Sequence, residues 1–397
     1  MSATTAETEP KALLEPPKYQ GAPKAEKIVA VARKYGVSPF RQMREMFWTA
    51  FGRGRLPLSD YYNCGLYDPA IPMEQKREYV ANKGSYLINK GLSPDRLCAE
   101  RGFVANKVFF TALIHQLGFR TTVTQAVVST RGHFGNVPHL ANAGDIAGFL
   151  REQAQYPLFA KPLDYSGSFG SAMIERVEGD DIVLSNGTRL ALAQFCAEVM
   201  EEYGQGFVFQ DAITQHPELS DIIGRAIGTV RLVTIRDTAV PRPFYALWKI
   251  PAPKAMSDNF WQDGSMIAPL DLDTGAVGDC WIGTGLDARK LETHPVSGRT
   301  FRGFEMPHWA DALDQASKAH ALFPDLGVVG WDVAITEDGP LLIECNDNPF
   351  HTLYQLAFRR GIWNEDIRPV LERTTDLSKD MREAKKALQL ERHDKRK

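Results

Sequence analysis

The sequence predicts an α/β (α+β) protein with a mainly helical N-terminal region, and three observations carry that reading. Apolar residues recur at helical spacing through much of residues 26–91. From Asn106 onward, helical patterns alternate with short β-branched runs. Near the C-terminus, Val328–Ile335 and Pro340–Asn346 flank Asp338-Gly339, a strong turn signal, so the pair reads as a β-hairpin.

Taken in order, residues 1–24 lack periodicity and carry Pro10, Pro16, Pro17 and Pro23, which predicts a flexible tail. Helices are expected over Glu26–Tyr35, closed by Gly36, over Pro39–Phe51 with Phe40, Met43, Phe47 and Trp48, and over Glu74–Gly91. The aromatic run Asp60–Tyr67 reads as a connector whose rings pack in the core. Asn106 caps a helix carrying Val108, Phe109, Ala112, Leu113 and Leu117, and Gly118 ends it. Strands are expected at Thr121–Val128, Tyr156–Pro162, Gly206–Gln210, Gly228–Ile235 and Pro243–Ile250. Met173–Val177 and Asp181–Leu184 form a hairpin, Leu192–Tyr203 and Pro307–Leu322 are helices, and a charged helix follows Asp376.

The 397 residues suffice for two or three packed subdomains. A formal charge of −3 gives no electrostatic reason to expect nucleic acid or a membrane as partner. Five cysteines without short pairing exclude a CxxC zinc or redox motif and suit a reducing cytosol. No apolar run has the length of a membrane span, so a cytoplasmic location is expected.

The hairpin carries the chemistry. Glu344 and Asn346 are two residues apart and project from one face of their strand. A short loop at Asp338-Gly339 puts Asp332 opposite Glu344 or one residue off, with side chains roughly 5 Å apart. Their flanks, Val333, Ile335 and Leu341 to Ile343, are apolar, so the acids need a partner. Two carboxylates and an amide are hard oxygen donors of the kind Mg²⁺ takes, with water and phosphate filling the other positions. A plain polar hairpin face is the competing reading.

Common nucleotide and hydrolase motifs are absent: no GxxxxGK[ST] loop, GxGxxG, GxSxG or HExxH. Asp271-Leu-Asp-Thr-Gly275 begins like a calcium loop, but its later ligands are misplaced and it reads as a turn. Lys161 ends a strand just before Ser166-Gly-Ser-Phe-Gly170, where backbone N–H groups could converge on phosphate. Lys107 lies in the first turn of its helix, where spacing alone favours an exposed residue. Arg231 sits mid-strand between Val230 and Leu232 and must meet an anion, either the Asp332/Glu344 pair or a phosphate.

Asp332, a turn with Gly-Pro, then Glu-x-Asn-x-x-Pro closely resembles the signature that ends the ATP-binding region of ATP-grasp enzymes. Over roughly residues 100–360 the other pieces fall in the order of that family. Thr-Val-Arg-Leu-Val-Thr, His294-Pro-Val-Ser-Gly298 and Gly-Trp-Asp-Val-Ala-Ile resemble its sugar-transfer-associated subgroup, and more distantly RimK-type glutamate ligases. The resemblance implies an ATP-grasp fold, two α+β subdomains gripping ATP. It implies Lys107 and Lys161 on the phosphates, Ser166, Gly167, Ser168 and Gly170 in the lid loop, and Gln210, Asp211 and Ile213 in the adenine-reading hinge. Arg231, Lys249 and Asn259 would then face the transferred phosphate, and Asp332, Glu344 and Asn346 would hold Mg²⁺, with Mn²⁺ as a substitute.

Two departures stand out. The helical N-terminal quarter replaces the usual α/β domain before the ATP-binding region, so substrate identity does not carry over. The hinge has Gln210-Asp211 where many members have Glu, and the ribose contact stays open between Glu218 and Asp221. The domain plan is a tail over 1–24, a helical region over 25–100, a pre-lid α/β segment over 101–149, a lid subdomain over 150–235, a core subdomain with the metal site over 236–370, and a charged helix over 371–397. The implied activity is ADP-forming ligation of a small-molecule or peptide carboxylate to an amine or thiol, with a homodimer left open. An ATP-grasp kinase and a non-catalytic ATP-binding protein are the alternatives.

Overall fold

The computed structural model describes residues 13, 24–51, 54–95, 98–163, 169–253 and 255–395. The tail expected over 1–24 lies outside them, apart from Leu13 and the backbone of Lys24. Helices α1 (Lys24–Tyr35) and α2 (Pro39–Ala50) come first. Ser38 caps α2 by accepting from the Arg41 backbone N–H, and Pro39 occupies the first turn, where no intrahelical donor is needed. Polar rather than apolar side chains decide how α2 sits. Gln42, Glu45 and Thr49 are buried with Met46, whereas Phe40, Met43, Phe47 and Trp48 face outward. Glu45 accepts from Lys76 at 2.6 Å and from the Tyr61 hydroxyl at 2.8 Å. Gln42 donates to Val37 O at 2.8 Å and accepts from the Tyr62 hydroxyl at 2.9 Å. A buried charge left without its partner is costly, so this network fixes the helix orientation against its apolar pattern.

The aromatic connector contains a short helix, α3 (Leu58–Asn63), and Tyr61, Tyr62 and Tyr67 pack in the core as expected. The single helix expected over Glu74–Gly91 is broken into α4 (Met73–Lys76) and α5 (Asn82–Leu92). Tertiary partners replace the missing helical bonds: Gln355 accepts from Val80 N at 2.7 Å and donates to Val80 O at 2.8 Å, and Glu78 pairs with Arg360. Next come α6 (Arg101–Ala105) and α7 (Lys107–Gln116), the latter capped by Asn106 Oδ1, which accepts from the N–H groups of Val108 and Phe109.

The first sheet comprises β1 (Thr124–Val128), β2 (His139–Leu140), β3 (Leu158–Pro162), β4 (Ala172–Glu178), β5 (Asp181–Leu184), β6 (Arg189–Ala191) and β7 (Phe207–Asp211). Its order is β2-β1-β7-β3-β4-β5-β6, so β1 from the pre-lid segment belongs to the same sheet as the lid strands. Helices α8 (Ala143–Glu152) and α9 (Leu192–Tyr203) bury Ile146, Phe149, Phe195 and Val199 against it. The chain crosses over through residues 212–229, including α10 (Pro217–Ile223), where the Gln215 side chain donates to Gly224 O and Ala226 O and accepts from Gly228 N.

The second sheet comprises β8 (Val230–Ile235), β9 (Arg242–Ile250), β10 (Met266–Leu270), β11 (Cys280–Ile282), β12 (Arg289–Leu291), β13 (Val328–Thr336) and β14 (Gly339–Asn346), in the order β12-β11-β10-β9-β8-β13-β14. The sequence plan grouped Val230–Ile235 with residues 150–235. Its hydrogen bonds go instead to β9 and β13 of the second sheet. The turn between β8 and β9 lies within this sheet, so the chain changes sheet in the crossover before β8 rather than after it. Helix α11 (Trp309–Ala321) packs Ala312, Ala316 and Ala319 on one face, and α12 (Thr352–Phe358) packs Leu353 and Leu356 on the other. Covering both faces is what lets β13 read as an unbroken apolar run with one acid in it. The long α13 (Arg368–Asp394) closes the described chain.

Candidate active site

A cavity of about 320 Å³ lies between the two sheets. Strands β3 and β7 contribute Phe159, Lys161, Gln210 and Asp211 from one side, and β8, β9, β13 and β14 contribute Arg231, Lys249, Asp332, Ile343, Glu344 and Asn346 from the other. The hairpin register places Asp332 opposite Glu344, but the turn alone would not do so. From Thr336 to Val333 the pairing is regular, ending with Val333 opposite Leu342, and continuing it would set Ile343 opposite Asp332. A β-bulge at that point inserts one residue and brings Glu344 alongside Asp332. Ile343 and Glu344 both line the cavity as a result.

Asp332 faces Arg231 directly across the β8–β13 ladder. Arg231 donates from Nε to Oδ1 at 2.6 Å and from Nη2 to Oδ2 at 3.2 Å, and Lys249 Nζ donates to Oδ2 at 3.1 Å. Lys249 also pairs with Asp258 at 2.8 Å, and Asp258 accepts from the Thr229 hydroxyl. Burial works to raise the Asp332 carboxyl, but Arg231 and Lys249 outweigh it and hold it below the usual carboxylate range. The same pairs keep Lys249 and Arg231 above their ordinary values in spite of burial.

The two lysines on the other side behave differently. Lys107 is buried, contrary to the exposed position its spacing suggested, because its Nζ reaches past the first turn to donate to Leu163 O at 2.8 Å. Lys161 projects away from the buried Leu158 and Ala160 and into the cavity, its Nζ 5.9 Å from the Phe159 ring centre. Burial lowers its ammonium to about 8, with Lys107 adding to the fall and Glu344 and Asp332 opposing it.

Gln210, Asp211 and Ile213 line the cavity where β7 runs into the crossover. Gln210 is buried, and Asp211 accepts from Gln125 Nε2 at 2.7 Å. Asn259 is buried in the loop after β9, with Oδ1 accepting from Trp261 N at 3.0 Å. Gly170 has a φ of +73°, and a Cβ there would meet Pro162 and Tyr203 at 2.6 Å, so this position needs glycine. Ser166, Gly167 and Ser168 lie outside the described residues. Neither Glu218 nor Asp221 lines the cavity.

The donors fit a hard divalent ion. Glu344 makes no hydrogen bond or ion pair among the described residues, and Asp332 Oδ1 accepts a single hydrogen bond, leaving it a free lone pair. The Asn346 amide nitrogen is buried without a partner among the described residues, a donor open to an acceptor such as a phosphate oxygen, while only its Oδ1 could serve an ion. Among the described residues no group of three or more His, Cys, Asp and Glu side chains could hold a metal. Two acids and an amide therefore suit an ion that completes its shell with phosphate and water.

Sequence reasoning missed Asp258 and Thr229, which anchor Lys249, and the aromatic rim formed by Trp261 and Phe350. The signal for Asp258 was Lys249 itself, a mid-strand cation that needs more than a shared carboxylate.

The sequence profile of the sugar-transfer associated ATP-grasp family matches residues 98–370. No curated protein matches the chain. Among solved structures, it is similar to the D-alanine-D-alanine ligase from Coxiella burnetii at 10% identity and a TM-score of 0.40, covering 73% of this chain and 62% of that one, less than two thirds of its length. The N5-carboxyaminoimidazole synthase from Aspergillus clavatus, solved with ADP and 5-aminoimidazole ribonucleotide, is similar at 11% identity and a TM-score of 0.36, over 69% of this chain and 52% of that one. The ATP-grasp ligase PsnB, complexed with precursor peptide PsnA2 and AMPPNP, gives 14% identity and a TM-score of 0.33, over 70% and 60%. The profile takes in the β3 lysine, the β8 arginine and the acid–acid–amide hairpin within a single match, and on that basis the chain belongs to the sugar-transfer associated ATP-grasp family.

Proposed function

We propose that the protein joins a carboxylate to an amine or thiol at the expense of ATP, through an acylphosphate, releasing ADP and phosphate. The observation that carries this reading is the division of charge across one cavity. Lys107 and Lys161 line the side of the first sheet, and Arg231 and Lys249 sit beside the Asp332–Glu344–Asn346 donor set on the second. A triphosphate lying across the cavity would meet cations along its length and oxygen donors at its reacting end. Bound Mg²⁺ supplies positive charge to the terminal phosphates when held by Asp332, Glu344 and Asn346.

The remaining work falls to the chain. Lys161 and Lys107 hold the phosphates, while Gln210, Asp211 and Ile213 orient the base at the hinge. Arg231 and Lys249 meet charge that develops on the transferring group as a substrate carboxylate attacks in line. An amine then displaces phosphate from the acyl carbon. Enclosure between the sheets, with Trp261 and Phe350 at the rim, keeps water from the acylphosphate. The kinase alternative needs a base to deprotonate a hydroxyl. The carboxylates lining the cavity are otherwise engaged: Asp258 with Lys249, Asp211 with Gln125, and Asp332 and Glu344 in the donor set. That distribution favours a substrate that is already anionic.

An ¹⁸O-labelled carboxylate substrate tests the route. One label is expected in inorganic phosphate, and accumulation of a phosphorylated product without any amine, or formation of AMP and pyrophosphate, overturns it.

The lowered Lys161 ammonium gives a second expectation. Below about pH 8 the free protein presents a cation to phosphate. Above it binding must take up a proton, so ATP affinity falls by about tenfold per pH unit. Lys161→Ala should bind ATP more weakly at pH 7 and lose this slope. Calorimetric titration between pH 7 and 9.5 measures both, and a flat wild-type profile removes Lys161 from the phosphate site.

A further inference from the structure

A second binding surface lies on the helical N-terminal region, outside the cavity between the sheets. Phe40, Met43, Phe47 and Phe51 repeat every three or four residues along one stripe of α2, with Trp48 beside it, and each is between 50% and 77% exposed. A contiguous aromatic stripe of this kind marks an interaction site rather than ordinary surface. It is not an accident of loose packing, because the Glu45–Lys76–Tyr61 and Gln42–Tyr62 contacts hold the opposite, polar face of α2 inward.

Charge identifies the partner. At the C-terminal end of the stripe a cavity of about 900 Å³ is walled by Phe51, Leu87 and Trp363, carries Arg55, Arg77 and Lys83, and has no acid in its lining among the described residues. Arg44 lies within the stripe, Arg77 sits 5.3 Å from the Trp48 ring centre, and Arg44, Arg55 and Lys83 pair with no acid among the described residues. A second copy of this chain would bring these cations face to face with themselves, which disfavours self-association. Exposed aromatics ringed by unpaired arginine and lysine match an interfacial helix on an anionic bilayer, with the rings among the acyl chains and the cations at headgroup phosphates. We propose that α2 and the adjoining cavity dock the protein on an anionic lipid surface. Among the described residues no helix is long and apolar enough to cross a membrane, so the association is peripheral. The chain-wide charge of −3 conceals this patch, whose described cavity lining carries Arg55, Arg77 and Lys83.

Vesicle flotation of the full chain tests it. Phosphatidylcholine vesicles with about 30% phosphatidylglycerol are expected to bind at least about tenfold more tightly than phosphatidylcholine alone, and high salt should release the protein. Arg44→Gln and Lys83→Gln should each weaken binding about fivefold, and the Phe47→Ser/Phe51→Ser double variant should abolish flotation. All these positions are solvent-exposed, and an unchanged melting profile verifies folding. The proposal is overturned if wild type floats with neither vesicle, if it binds both equally, or if the variants bind like wild type. It is also overturned if sedimentation equilibrium without lipid shows a dimer that Phe47→Ser/Phe51→Ser dissociates, which would make the stripe an interface between copies.

Discussion

Glu344→Gln is expected to lower ADP release by about 10²–10³-fold while leaving the fold intact. The substitution is nearly isosteric, and Glu344 is half-buried with no ion pair among the described residues, so the fold should lose little while the proposed metal site loses an anionic ligand. Asp332→Asn should cost turnover similarly and stability as well. It removes the charge that compensates Arg231 and half of the charge around Lys249, and stranding a buried cation typically costs about 3–5 kcal/mol. ADP release at saturating Mg²⁺, paired with urea unfolding, separates the two effects. Unchanged ADP release by Glu344→Gln would remove the carboxylate from the metal site. Equal stability of both variants would contradict the role of Asp332 as the anchor of the cationic cluster.

Arg231→Ala should reduce kcat by about 10²–10³-fold, on the order of 3–4 kcal/mol in the transition state, with little change in KM for ATP. In the resting site the guanidinium is clamped on Asp332 from two nitrogens, so it is already positioned before charge develops. Arg231→Lys keeps a cation but gives up the two-pronged geometry, and should retain only part of the lost rate. If Arg231→Ala moves KM alone, the arginine grips the ground state and belongs with Lys161.

The sequence made the acid pair legible because the Asp338-Gly339 turn and the two-residue period of a strand leave only two registers for Asp332 and Glu344. It could not choose between them, since the choice rests on a bulge at Ile343, an apolar residue with no distinguishing mark. Arg231 announced its need for an anion, and the structure supplies Asp332. Asp258 stayed hidden because a loop residue finds its partner only when the chain folds back over β9. The orientation of α2 was equally hidden. Periodicity reveals that a helix has two faces, but the inward face was decided by Lys76, Tyr61 and Tyr62, up to 31 residues away. Lys107 was misjudged for a related reason: its position predicts exposure, and Leu163 O, across a different element, buries it.

The bulge on β14 also determines where this hairpin can change length. Extra residues at Asp338-Gly339 would only enlarge the loop, and the pairing from Thr336 inward would be untouched. The bulge already absorbs one surplus residue before Glu344. Beyond it there is no slack, because Glu344 and Asn346 share a face only while one residue separates them. A codon inserted after Cys345 would send the amide to the opposite side of the strand and undo the site as thoroughly as deleting the carboxylate, with every original side chain still encoded.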